Sequence, residues 1–255
     1  MLEVFISLDA RVFCKLYTLR KRNNLCKLCG VVYLEERSSM ILLLGGEKGG
    51  SGKSCLAQNL AVWIKARGGD VLLLDADPQG TTADWAAERN DQGDLPPIPV
   101  VQAHGNIRQT LLDLRGRYRQ IVVDAGGADS EALRSAMTVA THMLIPFRPK
   151  RRDLKTLPKV ENLARLAIAV NPDLTIRAVI TQCPALPSQV QRILDAKEAC
   201  LSFEIIPLNA ITTARNVYDD ADEDGCSVLE SGSDPRAKEE IESLASELWG
   251  STKWA

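Results

Sequence analysis

The sequence has little that would suit a membrane span or a histidine-based catalytic triad. Only 5% of its 255 residues are aromatic. The longest unbroken apolar runs cover a few residues, whereas a membrane-spanning helix needs roughly 18 to 20. The two histidines, His104 and His142, are far from any Ser or Cys pattern typical of nucleophilic catalysis. These absences argue against an integral membrane protein and against a hydrolase of the triad type.

The cysteines do not form the pattern of a disulfide scaffold. Their number is odd, they are scattered, and no secretory leader is recognisable, which predicts free thiols in a reducing cytoplasm. Cys26 and Cys29 have the spacing of half a zinc site, but no second Cys or His pair follows at the usual distance. The seven cysteines are Cys14, Cys26, Cys29, Cys55, Cys183, Cys200 and Cys226.

The composition is otherwise that of an ordinary globular protein, with 45% apolar residues, 25% charged residues and a net charge of −2. The charge is unevenly spread, because residues 1–39 carry +3 and the remainder carries −5. Residues 1–39 also lack a clear hydrophobic period, and Met40 stands one residue before the first good strand. We predict that 1–39 is a non-native or poorly ordered extension from a misassigned start, and that 40–255 is one domain.

From Met40 onward, short apolar runs alternate with amphipathic stretches of helical length. Strands are predicted over 41–44, 71–74, near 100, and over 121–123, 143–146, 175–180 and 203–206. Helices are predicted over 54–67, 81–89, 107–114, 130–140, 153–170, 188–200 and 235–249, with Gly68 and Gly69 as the first C-terminal cap. Wholly apolar strands between amphipathic helices predict a single doubly wound α/β domain, whose mostly parallel sheet has helices on both faces.

The first strand runs directly into GGEKGGSGKS at 45–54 and then into a helix. Glycines let the backbone N–H groups face inward, the helix N-terminus is electropositive, and Lys53 adds a mobile positive charge. Glu47 replaces the first Gly of the strict Walker pattern, but a second lysine, Lys48, makes this the deviant Walker A of one class of ATPases. The alternative is a glycine-rich turn with unrelated lysines. The candidate nucleotide-binding residues are Lys48, Gly49, Gly50, Ser51, Gly52, Lys53, Ser54 and Cys55.

Two other strands end in carboxylates that belong at the same edge of a parallel sheet. LLLDADPQG at 72–80 contains Asp77, and IVVD at 121–124 ends in Asp124. Asp124 is predicted to hold Mg²⁺ together with the Ser54 hydroxyl, and Asp77 is predicted to position the attacking water and is a further candidate for the metal. Each acid alone could equally be a helix cap or turn residue. Together with the phosphate loop they predict a P-loop NTPase that uses ATP and Mg²⁺.

At this point the sequence resembles a ParA-type partition ATPase of the MinD/ParA class, in the small form without an N-terminal DNA-reading domain. The resemblance rests on EKGGSGKS at 47–54, LLLDADPQGTT at 72–82, IVVDAGG at 121–127, LIPFRPKRRD at 144–153 and RNVYDDADEDGCSVLE at 215–230. Two departures stand out. Cys55 replaces a common Thr, and Asp124 is followed by Ala-Gly-Gly instead of a Pro-rich stretch.

The resemblance implies a catalytic mechanism that depends on dimerisation. Lys48 would be the signature lysine that reaches the partner's nucleotide in an ATP-bound homodimer, and Asp77 would be the second catalytic residue. The resemblance also implies that the dimer binds DNA without sequence preference. A centromere-binding adaptor, ParB-like or ParG-like, would stimulate hydrolysis and release the dimer.

A basic run offers a candidate surface for phosphate backbones on an otherwise acidic domain. The candidate DNA-binding residues are Arg148, Lys150, Arg151 and Arg152, with Arg215 as a further candidate. The alternative is a solvated loop and helix start. The C-terminal KEEIESLASELWGSTKWA is acidic and therefore a poor ligand for an anionic membrane.

We therefore expect a cytoplasmic, nucleoid-associated ATPase, weak until stimulated, that segregates plasmid or chromosomal DNA. One alternative is a ParA-like ATPase that positions a protein complex or acts in conjugation. Another is a metabolic P-loop enzyme of the same class, whose turnover would depend on a small substrate instead of on DNA and a partner.

Overall fold

The computed structural model describes residues 39–127, 130–223, 225–250 and Trp254. The chain divides after Ser38, and the fold described below belongs to the unit Ser39–Ala255. The extension predicted over 1–39, with Cys14, Cys26 and Cys29, lies outside the described residues except for Ser39.

A single parallel sheet forms the centre of the described chain. Its strand order is β3-β2-β4-β1-β5-β6-β7, and each neighbouring pair is parallel. The strands are β1 Met40–Leu44, β2 Val71–Asp75, β3 Val100–Gln102, β4 Gln120–Asp124, β5 His142–Phe147, β6 Thr175–Cys183 and β7 Ile206–Thr213. The central β1, β2 and β4 are buried along their whole length, as their unbroken apolar runs predict.

Helices cover both faces of this sheet. In the part of the chain that the structure describes, they are α1 Lys53–Ala66, α2 Thr81–Asp91, α3 Arg108–Arg115, α4 Glu131–Met137, α5 Arg151–Leu154, α6 Leu157–Val170, α7 Val190–Ser202, α8 Val217–Asp222 and α9 Pro235–Trp249. A short 3₁₀ turn, Pro187–Gln189, precedes α7.

Alternate residues of β1 enter two separate cores. Leu42 and Leu44 pack with α1, α2 and α9 on one face, while Ile41 and Leu43 pack with α3, α4, α6 and α7 on the other. The prediction of a doubly wound domain with helices on both faces is confirmed. Gly68 also caps α1 as predicted, with φ +76° and its N–H donated to the carbonyl of Lys65.

Two predicted helices are wrong in their extent. The helix predicted over 153–170 is two helices, α5 and α6, because Pro158 lacks the N–H needed to continue and fits only in the first turn of α6. The helix predicted over 130–140 ends at Met137, where the Thr138 hydroxyl donates to the carbonyl of Ser135.

The strand predicted over 203–206 is also wrong, because β7 begins at Ile206 and extends to Thr213. Phe203 and Ile205 alternate as in a strand, but both donate their N–H groups to the carbonyl of Cys200, and Glu204 has a left-handed φ of 57°. They therefore end α7. The actual strand contains Pro207, which is tolerated because β7 is at the edge of the sheet.

Candidate active site

The loop between β1 and α1 closes on itself through Lys48. The carbonyl of Lys48 accepts hydrogen bonds from the Ser51 hydroxyl at 3.2 Å and from Lys53 Nζ at 3.1 Å. Gly50 and Gly52 have φ of 68° and 91°, values that favour glycine. The result is a tight turn that leads into the N-terminus of α1, as the phosphate-binding motif requires.

Lys53 lies in this turn with little exposure, and burial lowers the pKa of its ammonium group. The carboxylates of Asp124 and Asp77 act in the opposite direction on the same pKa. Lys53 is thus a mostly buried cation near two acids at the start of a helix. A polyphosphate in the cleft would bring further negative charge to it, so this position suits phosphate binding.

The end of β6 supports the phosphate loop from the side. Thr181 donates its hydroxyl to the carbonyl of Ser51 at 2.8 Å, and Gln182 donates its side-chain amide to the carbonyl of Gly50 at 3.0 Å. Gln182 has a left-handed φ of 48°, uncommon for a residue with a side chain. Sequence reasoning missed both residues, although their place at the carboxyl end of a parallel strand was the available signal.

Two carboxylates sit side by side on β2 and β4, where Asp75 and Asp124 are register partners and both are fully buried. Asp75 accepts N–H groups from Asp77 at 3.0 Å and Ala83 at 2.8 Å, so it fixes the turn into α2. Asp124 accepts a hydrogen bond from the Thr82 hydroxyl at 2.7 Å through Oδ2. Both oxygens of Asp75 are therefore engaged by backbone donors, whereas Asp124 keeps an oxygen for another ligand.

That oxygen is Asp124 Oδ1, which is buried and accepts no hydrogen bond among the described residues. Burial raises the pKa of Asp124 to about 6, and the neighbouring hydroxyls of Thr82 and Ser54 oppose only part of this shift. An orphaned buried carboxylate oxygen fits Mg²⁺ or one of its waters. No group of three His, Cys, Asp or Glu side chains in the described ranges could hold a metal alone, so Ser54 and Asp124 would need phosphate oxygens and water as further ligands.

Asp77 is partly exposed and accepts the N–H of Gln79 at 3.0 Å. The turn after β4 comes close to it, since a Cβ built on Gly126 would lie 3.5 Å from the Asp77 carboxylate. A Cβ on Gly127 would lie 3.1 Å from the amide nitrogen of Gly49. The Ala-Gly-Gly that departs from the family pattern thus lets the end of β4 lie directly against the phosphate loop.

A cleft of about 820 Å³ runs along the phosphate loop. One end is lined by Asp77, Gln79 and Gly127, and the other by the end of β7 and by α8. Of the predicted nucleotide-binding residues, Gly49, Gly50, Gly52, Lys53, Ser54 and Cys55 line it, while Ser51 is buried behind it and Lys48 is half-buried beside it. Burial raises the pKa of the Cys55 thiol to about 12, so this cysteine is a neutral part of the wall.

The predicted DNA-binding residues fall into two groups. Arg148 is held by Asp153 through bonds of 2.6 and 3.1 Å, and Arg215 is held by Asp234 and Glu240 at 2.9 and 3.2 Å. Lys150, Arg151 and Arg152 are exposed at the start of α5, on the side of the sheet where the strands end. The structure thus separates two arginines held by acids from three exposed cations.

None of the helices in the described ranges is both long enough and apolar enough to cross a membrane.

Comparison with known proteins places these features in a recognised family. The family model described as "CobQ/CobB/MinD/ParA nucleotide binding domain" matches residues 42–223. A "Maintenance of carboxysome distribution protein A" from Gloeobacter kilaueensis is 32% identical over 196 residues, 75% of this chain and 84% of that protein. A protein of the same name from Halothiobacillus neapolitanus is 26% identical over 221 residues, 84% of this chain and 99% of that protein.

Solved structures agree on the fold. The ATP complex of a Cyanothece McdA variant has a TM-score of 0.67 at 16% identity, over 86% of this chain and 99% of that one. The predicted resemblance to the MinD/ParA class and the predicted P-loop NTPase fold are both confirmed.

Proposed function

Because the chain belongs to the CobQ/CobB/MinD/ParA family of nucleotide-binding domains, we propose that it is a magnesium-dependent ATPase that positions a protein complex. The observation that carries the ATPase part is the convergence of the phosphate loop, Asp77 and the orphaned oxygen of Asp124 at one edge of the sheet. A nucleotide would find a cation, a helix N-terminus and the Ser54 hydroxyl in one cleft, while Asp124 is buried and is not part of the cleft lining.

Each of these groups has a defined part in hydrolysis. Lys53 and the backbone N–H groups of the loop would bind the β- and γ-phosphates, while Ser54 and Asp124 would hold Mg²⁺, which would neutralise charge on the phosphates. Asp77 positions the attacking water, and Lys48 of a second copy neutralises charge that develops on the phosphates in the transition state. Hydrolysis therefore requires an ATP-bound homodimer.

Substitutions test this assignment step by step. Lys53→Ala should abolish ATP binding, because it removes the charge that balances the phosphates. Lys48→Ala should retain binding but lose ATP-dependent dimerisation or hydrolysis, and Asp77→Ala should leave a dimer that cannot turn over. ATP binding, dimer mass and phosphate release would be measured on each variant. Normal stimulated hydrolysis by Lys48→Ala would show that the deviant Walker assignment is wrong.

The cargo is proposed from the relatives. Two proteins that match over 84% and 99% of their length are named for carboxysome distribution, which supports a protein complex better than a DNA replicon as the object positioned. DNA would then be the surface on which the ATP-bound dimer moves. A partner protein on the cargo would stimulate hydrolysis and release the dimer from that surface.

DNA partition is the second candidate, because the exposed Lys150, Arg151 and Arg152 would contact DNA in that role as well. These cations serve either function, so the experiment must follow the cargo. Deletion of the gene should cluster a protein compartment without loss of plasmids if the proposal holds. Loss of a replicon with normal spacing of protein assemblies would instead support partition.

A further inference from the structure

Glu240, on α9, contacts the nucleotide cleft only through other residues. One of its carboxylate oxygens, Oε2, accepts the N–H of Thr213 at 2.9 Å and the hydroxyl of Tyr218 at 2.8 Å. The other, Oε1, accepts Nε and Nη2 of Arg215, both at 3.2 Å. All three donors line the cleft, whereas Glu240 is not part of the lining.

These donors belong to the wall that faces the first turn of α1. It comprises residues 212–216, which complete β7 and continue beyond it, and Tyr218, Asp219 and Asp222 of α8. The phosphates are assigned to the loop, and Asp77 and Gly127 line the opposite end of the cleft. The wall at 212–222 is therefore the side left for the ribose and base.

One carboxylate holds the turn between β7 and α8 in place. The strand ends at Thr213 and α8 begins at Val217, so the wall bends where sheet pairing stops. Charged hydrogen bonds to a half-buried carboxylate are stronger than neutral ones. Burial, followed by the neighbouring Glu240, raises the pKa of Tyr218, so its phenol stays protonated and continues to donate at neutral pH.

We propose that Glu240 is a positioning residue of the nucleotide site, which sets the distance between the wall at 212–222 and the phosphate loop. This inference rests on the proposed function, because it assigns ATP to the cleft. Arg215 would then serve to hold this wall in place and not to bind DNA. Besides Glu240, it also contacts Asp234, at 2.9 Å.

The same helix supplies a matched control. Glu247 also accepts backbone N–H groups from β7, those of Asn209 at 2.8 Å and of Ala210. Its partners lie nearer the start of the strand and do not line the cleft. A purely structural role in joining α9 to β7 would be shared by the two glutamates, whereas an effect on ATP would be specific to Glu240.

The test compares Glu240→Ala, Glu240→Gln and Tyr218→Phe with Glu247→Ala and Glu247→Gln in the full chain. Binding of unlabelled ATP with Mg²⁺ is measured by isothermal titration well below the melting temperature of each variant, with KM and kcat for hydrolysis. Glu240→Ala should weaken ATP binding and raise KM by about ten-fold, with kcat at saturating ATP within about two-fold. Glu240→Gln, which keeps one acceptor, should show a smaller rise, as should Tyr218→Phe.

The Glu247 variants should bind ATP as the unmodified chain does. Unchanged affinity in the Glu240 variants, or an equal loss in both sets, would overturn the proposal. If Glu240→Ala does not fold, Glu240→Gln and Tyr218→Phe decide the matter by the same criteria. Failure of the unmodified chain to bind ATP would instead contradict the proposed function, so the two failures are distinguishable.

Discussion

At the scale of single residues, Asp124 has an environment that disfavours its own charge. Its pKa is raised to about 6 from an ordinary 3.8, mainly because the side chain is buried. An acid with a raised folded-state pKa contributes stability that is fully present below the unfolded pKa, near 3.8, and is lost as the pH rises through about 6. At neutral pH the ionised side chain therefore costs folding free energy.

Asp124→Asn should consequently stabilise the protein without nucleotide or metal. Asn cannot ionise but retains an oxygen for the Thr82 hydroxyl, so the free energy of unfolding in EDTA should rise by about 1 to 3 kcal/mol at about pH 8. The gain should shrink towards about pH 4.5, where the native carboxyl is largely protonated. Urea unfolding of both proteins at the two pH values measures the difference. Equal stability at the higher pH would show that the charge of Asp124 is not penalised.

At the scale of elements, the turn after β4 and the phosphate loop are packed backbone against backbone. A Cβ on Gly127 would meet the amide nitrogen of Gly49 at 3.1 Å and the carbonyl carbon of Lys48 at 3.3 Å. The phosphate loop would have to shift to admit it, and that shift would misplace the N–H groups that we propose bind phosphate. Gly126 differs, because a Cβ built on it would come no closer than 3.5 Å to its nearest neighbour, the Asp77 side chain, which is an ordinary van der Waals distance.

Gly127→Ala should therefore weaken Mg-ATP binding by about five-fold, equivalent to about 1 kcal/mol. Gly126→Ala is the matched control and should bind nearly as the unmodified chain does. Isothermal titration with ATP and Mg²⁺ provides both affinities, and thermal unfolding checks that the two variants are folded. Equal affinities would mean that the phosphate loop accommodates the methyl group without moving.

The central strands were predictable because their apolar residues are suited only to a buried position. β1, β2 and β4 are buried from both faces, which suits an apolar run, and their polar residues Asp75, Gln120 and Asp124 stand only at strand ends. β7 lies at the edge and accommodates Pro207 and the exposed Asn209, so its sequence lacks that signature. The sequence of α8 is acidic and is typical of a solvated turn. The structure shows instead a short helix whose Ala221 is buried.

The sequence predicts those parts of the candidate site that directly follow a parallel strand. Because parallel strands end at one edge, Asp77 and Asp124 could be expected near the phosphate loop. Contacts between separate elements, such as Gln182 with Gly50 or Glu240 with Thr213, depend on side-chain geometry that no spacing reveals. The roles predicted for Lys48 and Asp77 remain predictions for the variants above.

At the scale of the whole molecule, the distribution of paired and exposed charge decides which cations are available to a polyanion. Arg148 and Arg215 are engaged by carboxylates, whereas Lys150, Arg151 and Arg152 extend from the carboxyl edge of the sheet. The chain as a whole is acidic, with a net charge of −2. The DNA binding that we propose would therefore have to come from a local patch and not from overall charge.

Arg151→Ala combined with Arg152→Ala should remove two phosphate contacts per protomer. The slope of log K against log salt should fall by about 2 per protomer, equally on any duplex sequence, because phosphate contacts carry no base information. ATP affinity should be unchanged, since neither residue lines the cleft. The measurement is a titration of the ATP-bound Asp77→Ala dimer with random-sequence DNA at several salt concentrations.

Arg117→Ala combined with Arg119→Ala is the control for this last prediction. These two arginines are also exposed, but they precede β4 and so lie at the amino edge of the sheet, away from the patch. Both double variants change the net charge equally, so a long-range effect of charge would lower DNA affinity in both. A loss confined to the 151–152 variant would identify α5 as the DNA-binding element. An unchanged slope there would show instead that this basic run is an ordinary solvated surface.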